Sequence, residues 1–170
     1  MRRPSGHREH RHDIHGMRLA HEEAAAAATA GEVPVGAVLM RGTDVIARGR
    51  NRMKGLGDPR RHAEVDCIDA AQDAGHRGVN AFEGCTLYIT CEPCAQCAGA
   101  LVLVRMPRVV FGAWDDKAGM SGSVHDLLRN PRLNHRVEVE GGVMAQECGE
   151  MMKGFFSLRR LAPESPSPAQ

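Results

Sequence analysis

A chain of 170 residues with a formal charge of +1 is long enough for one well-packed domain and too short for two, and its balanced charge excludes a protein that grips a polyanion by net charge alone. Hydrophobic residues at 42% and charged residues at 25% exclude a fibrous or wholly disordered chain, while one Trp, one Tyr and four Phe make the core aliphatic. No apolar run approaches a membrane span and the N-terminus lacks the apolar centre of a secretion signal, so a cytoplasmic protein with no membrane partner is expected.

The opening MRRPSGHREHRHDIHG is polar, lacks hydrophobic periodicity and holds four of the nine histidines. Residues 1–16 therefore read as a disordered tail rather than a metal-binding tract. The ordered pattern begins at Met17, a candidate natural start, and a single domain is expected over residues 17–160. MRLAHEEAAAAATA predicts a helix stopped by Gly31. VPVGAVLM and DVIARGRN predict two strands of a hairpin turning at RGT. Next come a helix over about 62–74, a strand CTLYIT, a helix over about 94–104 and a strand RVVFGA. That alternation is the rhythm of a sheet with crossover helices, so its second half is expected to be largely parallel. A short helix SVHDLLRN, a strand RVEVEGGV and a helix over about 145–160 complete the domain, and residues 161–170, ending APESPSPAQ, read as a second disordered tail. The class is α/β, a three-layer α/β/α sandwich on a mixed five-stranded sheet.

Over residues 17–160 eighteen basic side chains face eighteen acidic ones, but unevenly. Between Arg41 and Arg61 lie seven basic residues and only two acids, Asp44 and Asp58; Arg129, Arg132 and Arg136 form a second group, and Lys153, Arg159 and Arg160 a third. Scattered, these are a solvated surface; on one face they would make a phosphate-binding strip.

Six cysteines in a reducing compartment do not suggest a disulfide framework. Cys67, Cys85 and Cys148 sit among apolar residues and read as small buried hydrophobes. Cys94 and Cys97, three residues apart at a helix start behind Pro93, can turn both sulfurs toward one ion, and the positive helix N-terminus favours the thiolates that zinc needs. In PRRHAEV, His62 and Glu64 open another helix; two residues apart they do not share a face as an i, i+4 pair would, but a helix start lets them flank one point. His62, Cys94 and Cys97 then make a three-ligand zinc site with one tetrahedral position open, the mark of a catalytic centre. Two thiolates neutralise the dication, so bound water needs a nearby base, and Glu64 is the candidate. Cys91 keeps a rival open, a closed structural site of three cysteines and one histidine; an iron–sulfur cluster would want a further nearby Cys followed by Pro, and Cys148 is distant and followed by Gly.

HxE followed about thirty residues later by PCxxC is the signature of the zinc deaminases. Beyond it, GEVPVGAVL, HAEV, TLYITCEPCAQCAGAL, RVVFGA, DDKAGMSGS, NHRVEV and FFSLRR resemble the bacterial tRNA-specific adenosine deaminases over nearly all of residues 17–160. The resemblance implies a cytidine-deaminase-like fold, a homodimer, a tRNA anticodon stem-loop as partner, and conversion of the wobble adenosine to inosine by attack of zinc-activated water at C6 with loss of ammonia. It assigns one Zn2+ per chain to His62, Cys94 and Cys97 and the proton shuttle to Glu64. It also implies that Asn51 and Asp115 contact the target nucleotide or its neighbours, that Val35 forms pocket wall, and that Phe155 and Phe156 are an aromatic pair that helps hold the RNA loop. Arg60 and Arg61 stand where the family usually has Thr-Ala, Trp114 where Arg is common and Cys91 where Leu is common. These departures are expected to bear on RNA preference; Trp114 stacked on a base would contribute ~1–3 kcal/mol. A deaminase of a free guanine or cytosine-type base or nucleoside shares the metal motif and is the alternative. A zinc-stabilised binding protein without turnover is a third reading, one that gives Glu64 no use.

Overall fold

The computed structural model describes residues 6–161, with side chains described over 10–160. Its elements are α1 (Gly6–Thr29), β1 (Gly36–Arg41), β2 (Asp44–Arg50), α2 (Met53–Leu56), α3 (Ala63–Asp73), β3 (Cys85–Cys91), α4 (Ala95–Leu103), β4 (Arg108–Ala113), β5 (Glu138–Gly141) and α5 (Ala145–Leu161). The strands form one mixed sheet in the order β2-β1-β3-β4-β5. β1 runs antiparallel to both β2 and β3, whereas β3, β4 and β5 are mutually parallel, as the alternating pattern predicts.

Period-two alternation along the strands assigns the two faces. Ala37, Leu39, Leu87, Ile89, Val109 and Phe111 pack with Cys67 and Ile68 of α3 and Leu101 of α4. The intervening Val38, Met40, Tyr88 and Val110 pack with Met17 and Ala20 of α1 and Cys148 of α5. The central strands are thus buried on both faces, which explains their near-continuous apolar sequences, and the result is the expected three-layer sandwich. At Gly49 a Cβ would fall 2.3 Å from the Cys67 nitrogen and 2.4 Å from the Ala63 carbonyl. Only glycine lets α3 lie directly on the β2 backbone, and this contact delivers the start of α3 to the sheet's end.

Two expectations are corrected. The helix expected from Met17 begins at Gly6, so most of the tail assigned to residues 1–16 is ordered. Asp13 is buried and forms paired hydrogen bonds of 2.7 and 2.9 Å with the Arg108 guanidinium, while Tyr88 donates to the same carboxylate at 3.2 Å. These partners lie on β3 and β4, out of reach of any local periodicity. The short helix SVHDLLRN is absent: residues 123–130 are turns, with a bridge between Ser121 and Asp126. The amide that would close the first helical turn is used otherwise, since the Leu127 N–H bonds the Met120 carbonyl at 2.8 Å and not that of Ser123. The short α2 was not anticipated, and the tail expected over 161–170 lies outside the described residues from 162 onward.

At the C-terminus of α4, Arg105 takes the left-handed conformation (φ 54°) usually reserved for glycine. Its N–H bonds the Val102 carbonyl and the next N–H, from Met106, bonds that of Leu101, a Schellman closure. β1 begins where β2 ends, and the antiparallel β1–β3 pair sets that edge beside the ends of β3 and β4. Ligands of open α/β sheets gather at the carboxyl ends of parallel strands, and here Val35, Asn51, Glu92 and Asp115 flank those ends.

Candidate active site

Two helix starts meet at this end of the sheet. His62 precedes α3 and Cys94 precedes α4, both in extended backbone conformation and neither using its side chain to cap its helix. The imidazole and thiol are therefore left to face one another. His62 Nδ1 lies 3.4 Å from Cys94 Sγ and 3.5 Å from Cys97 Sγ, and the three potential ligand atoms lie within 4.8 Å of one another. Zinc–nitrogen and zinc–sulfur bonds at tetrahedral angles place N and S about 3.5 Å apart, so the donor set fits such an ion. Cys91 does not join this group; burial, reinforced by Glu64, pushes its thiol up to about 12, keeping it protonated. Cys94 is the opposite case: hydrogen bonding from Cys97, opposed by burial and helped by His62, draws its thiol down to about 3. The same bond to Cys94, together with burial, pushes Cys97 up. One proton shared between two sulfurs is what a thiol pair does without a cation, and a bound dication would release it.

Glu64, in the first turn of α3, is 4% exposed. Burial, with the Cys94 thiolate adding to it, lifts its carboxyl to about 7. It faces a cavity of about 150 Å³ that Val35, Asn51, His62, Cys94 and Asp115 also line. That volume is well below the range of drug-sized ligand pockets and suits a single ring system. A buried base, a cysteine–histidine cluster and a small partly apolar chamber together form a site for adding water to a heterocycle.

The chain matches the MafB19-like deaminase family over residues 11–160. It is 47% identical to the tRNA-specific adenosine deaminase of Bacillus subtilis (strain 168) over 140 residues, 82% of this chain and 86% of the relative. The chain belongs to the tRNA-specific adenosine deaminase family. A solved structure from a study of A-to-I editing by tRNA:A34 deaminases at the wobble position of transfer RNA superposes with a TM-score of 0.75 at 38% identity, covering 81% of this chain and 98% of the other. A guanine deaminase from Nitrosomonas europaea shares the fold at a TM-score of 0.69 and 18% identity, covering 87% of this chain and 84% of that one.

Within this family fold the expected substrate residues separate. Val35, Asn51 and Asp115 line the cavity; Asn51 is buried and Asp115 Oδ1 accepts from the Lys117 and Ala118 amides. Phe155 and Phe156 do not line it. They stack edge to face at 5.5 Å, with Arg159 4.8 Å above the Phe155 ring. Phe156 instead borders an adjoining groove of about 980 Å³ with Lys117, Lys153, Arg159 and Arg160, and Met152 lines both spaces. Of the departures from the family pattern, Arg60 pairs with Asp58, Arg61 with Asp69, and Trp114 packs edge-on against Phe111 at 4.8 Å while 52% exposed. Sequence reasoning missed Met53, Met152 and Glu92 as lining residues. Glu92 gave no signal in the sequence, since a carboxylate between a strand end and Pro93 reads as a solvated one, and only the structure shows it buried. Burial raises its pKa, but bonds from the Asp115, Ser123 and Ser121 groups outweigh that and lower it overall.

Proposed function

We propose that this chain deaminates the wobble adenosine of a tRNA anticodon to inosine, with one zinc ion per chain, as a cytoplasmic homodimer. The single observation that carries the reading is buried Glu64 facing a base-sized cavity beside His62, Cys94 and Cys97, in a chain of this family. Zinc held by those three side chains would supply the Lewis acid that makes water nucleophilic at neutral pH. Glu64 takes one proton from the attacking water and delivers it to the purine N1, then takes the remaining proton from the new C6 hydroxyl and gives it to the departing C6 amine. Adenosine and water become inosine and ammonia, and Glu64 ends as it began. Val35 forms apolar wall against the base, and Asn51 and Asp115 offer polar groups to the nucleotide. The adjoining groove supports RNA over a free base: its lining holds four basic side chains, an exposed phenyl ring and no acid.

The test is Glu64→Ala assayed on an anticodon stem-loop. The variant is expected to stay folded, retain zinc and lose at least about 100-fold in kcat; turnover at the wild-type rate rejects the mechanism.

A further inference from the structure

Glu92 is 3% exposed, and among the described residues its carboxylate's donors come from one loop. Oε2 accepts the Asp115 N–H at 3.0 Å and the Ser123 hydroxyl, and Oε1 accepts the Ser121 and Ser123 N–H groups at 2.9 and 3.1 Å. The loop closes further around this segment, because the Met120 N–H bonds the Pro93 carbonyl at 2.8 Å. Position 119 is open to no side chain: a Cβ on Gly119 would lie 2.2 Å from Glu92 Oε2 and 2.6 Å from the Asp115 carbonyl. The Glu92 N–H is itself held by the Ala113 carbonyl at 2.8 Å, which fixes the carboxylate to the end of β4. The loop has no regular secondary structure apart from the isolated bridge at Ser121, so its shape comes from these bonds. Its second residue is Asp115, which lines the cavity.

From this geometry we infer that Glu92 is a positioning residue for nucleotide binding: its carboxylate is the template on which the loop after β4 folds, and it sets Asp115 at the cavity mouth. The inference rests on the deaminase reading above and adds a determinant of substrate affinity. Two oxygens serving four donors leave no acceptor to spare. Replacing one oxygen by an amide sets a donor against the donors on that side, whichever way the group turns.

The experiment measures kcat and KM for an anticodon stem-loop with the zinc-loaded full chain and its Glu92→Gln, Ser123→Ala, Ser123→Thr and Asp115→Ala variants. Loss of a buried hydrogen bond predicts a KM about tenfold higher in Glu92→Gln and about threefold higher in Ser123→Ala. Expected also are kcat within about threefold of wild type, full zinc content, and near-normal KM in Ser123→Thr, which keeps the hydroxyl. Adding Glu92→Gln to Asp115→Ala should raise KM no further, because one residue acts through the other. Additive effects in that double variant overturn the inference, as does a fall in kcat with zinc loss and no change in KM. Should Glu92→Gln fail to fold, the Ser123 pair decides: equal KM in Ser123→Ala, Ser123→Thr and wild type overturns it. A wild-type chain with no activity on the stem-loop defeats the deaminase reading itself, and the inference falls with it.

Discussion

Tyr88 is the only tyrosine of the chain, so its titration can be followed without ambiguity. Burial, and then the nearby Asp13 carboxylate, push its phenol up to about 12, against about 10 in an unfolded chain. The folded state holds the proton more tightly, so this contribution to stability is complete below pH 10 and is lost as the pH climbs toward 12. Phenolate absorbance of the folded protein is expected to rise near pH 12, and Tyr88→Phe should flatten the alkaline fall in stability; native titration near pH 10 would contradict the buried placement. What sequence can reveal about single residues follows chemistry. His62, Cys94 and Cys97 were legible as a group because metal donors must come in particular types at particular spacings, and the fold sets both sulfurs 3.4 to 3.5 Å from His62 Nδ1. The places of Phe155 and Phe156 were not legible, because sequence tells which residues lie on α5 but not which of its sides looks into a cavity.

Among the elements, α1 depends on a contact that no local pattern announces. Asp13 and Arg108 are 95 residues apart and largely buried, with side chains 6% and 15% exposed. Arg108→Ala would leave the carboxylate buried opposite an emptied site and should destabilise the fold by about 3 kcal/mol, read as a lower midpoint in urea with an unchanged slope. A variant as stable as wild type would show that the first turns of α1 do not hold to the sheet. The strands were the readable elements: RVVFGA coincides with β4, Arg108–Ala113, because an apolar run between two sheet neighbours has little freedom to be anything else. The loop from Asp115 to Asn130 was unreadable for the reverse reason. Its Asp115, Ser121 and Ser123 amides bond Glu92, far back in the chain, and the Val124 and Leu127 amides turn back to Gly119 and Met120, a path that no local periodicity announces.

At the scale of the whole molecule, charge is arranged rather than accumulated. Most of the first basic group is answered by acids: Arg48 and Arg50 by Glu23, Arg52 by Asp66, Arg60 by Asp58 and Arg61 by Asp69. The groove beside the cavity holds Lys117, Lys153, Arg159 and Arg160 with no acid in its lining. If these four are the phosphate contacts, the logarithm of RNA affinity should fall with the logarithm of salt with a slope of about −3, and Lys153→Ala should reduce that slope by about 0.7. A slope near −6 would mean that the paired arginines release their acids to grip RNA as well. The sheet's margins carry a different consequence. Its two outermost strands are β2 and β5, the latter only four residues long with Glu138 and Glu140 exposed, the former displaying Arg48. Short, charged borders of this kind discourage strand-by-strand addition of another molecule, so copies of the chain have no easy route to continuous β-ribbons.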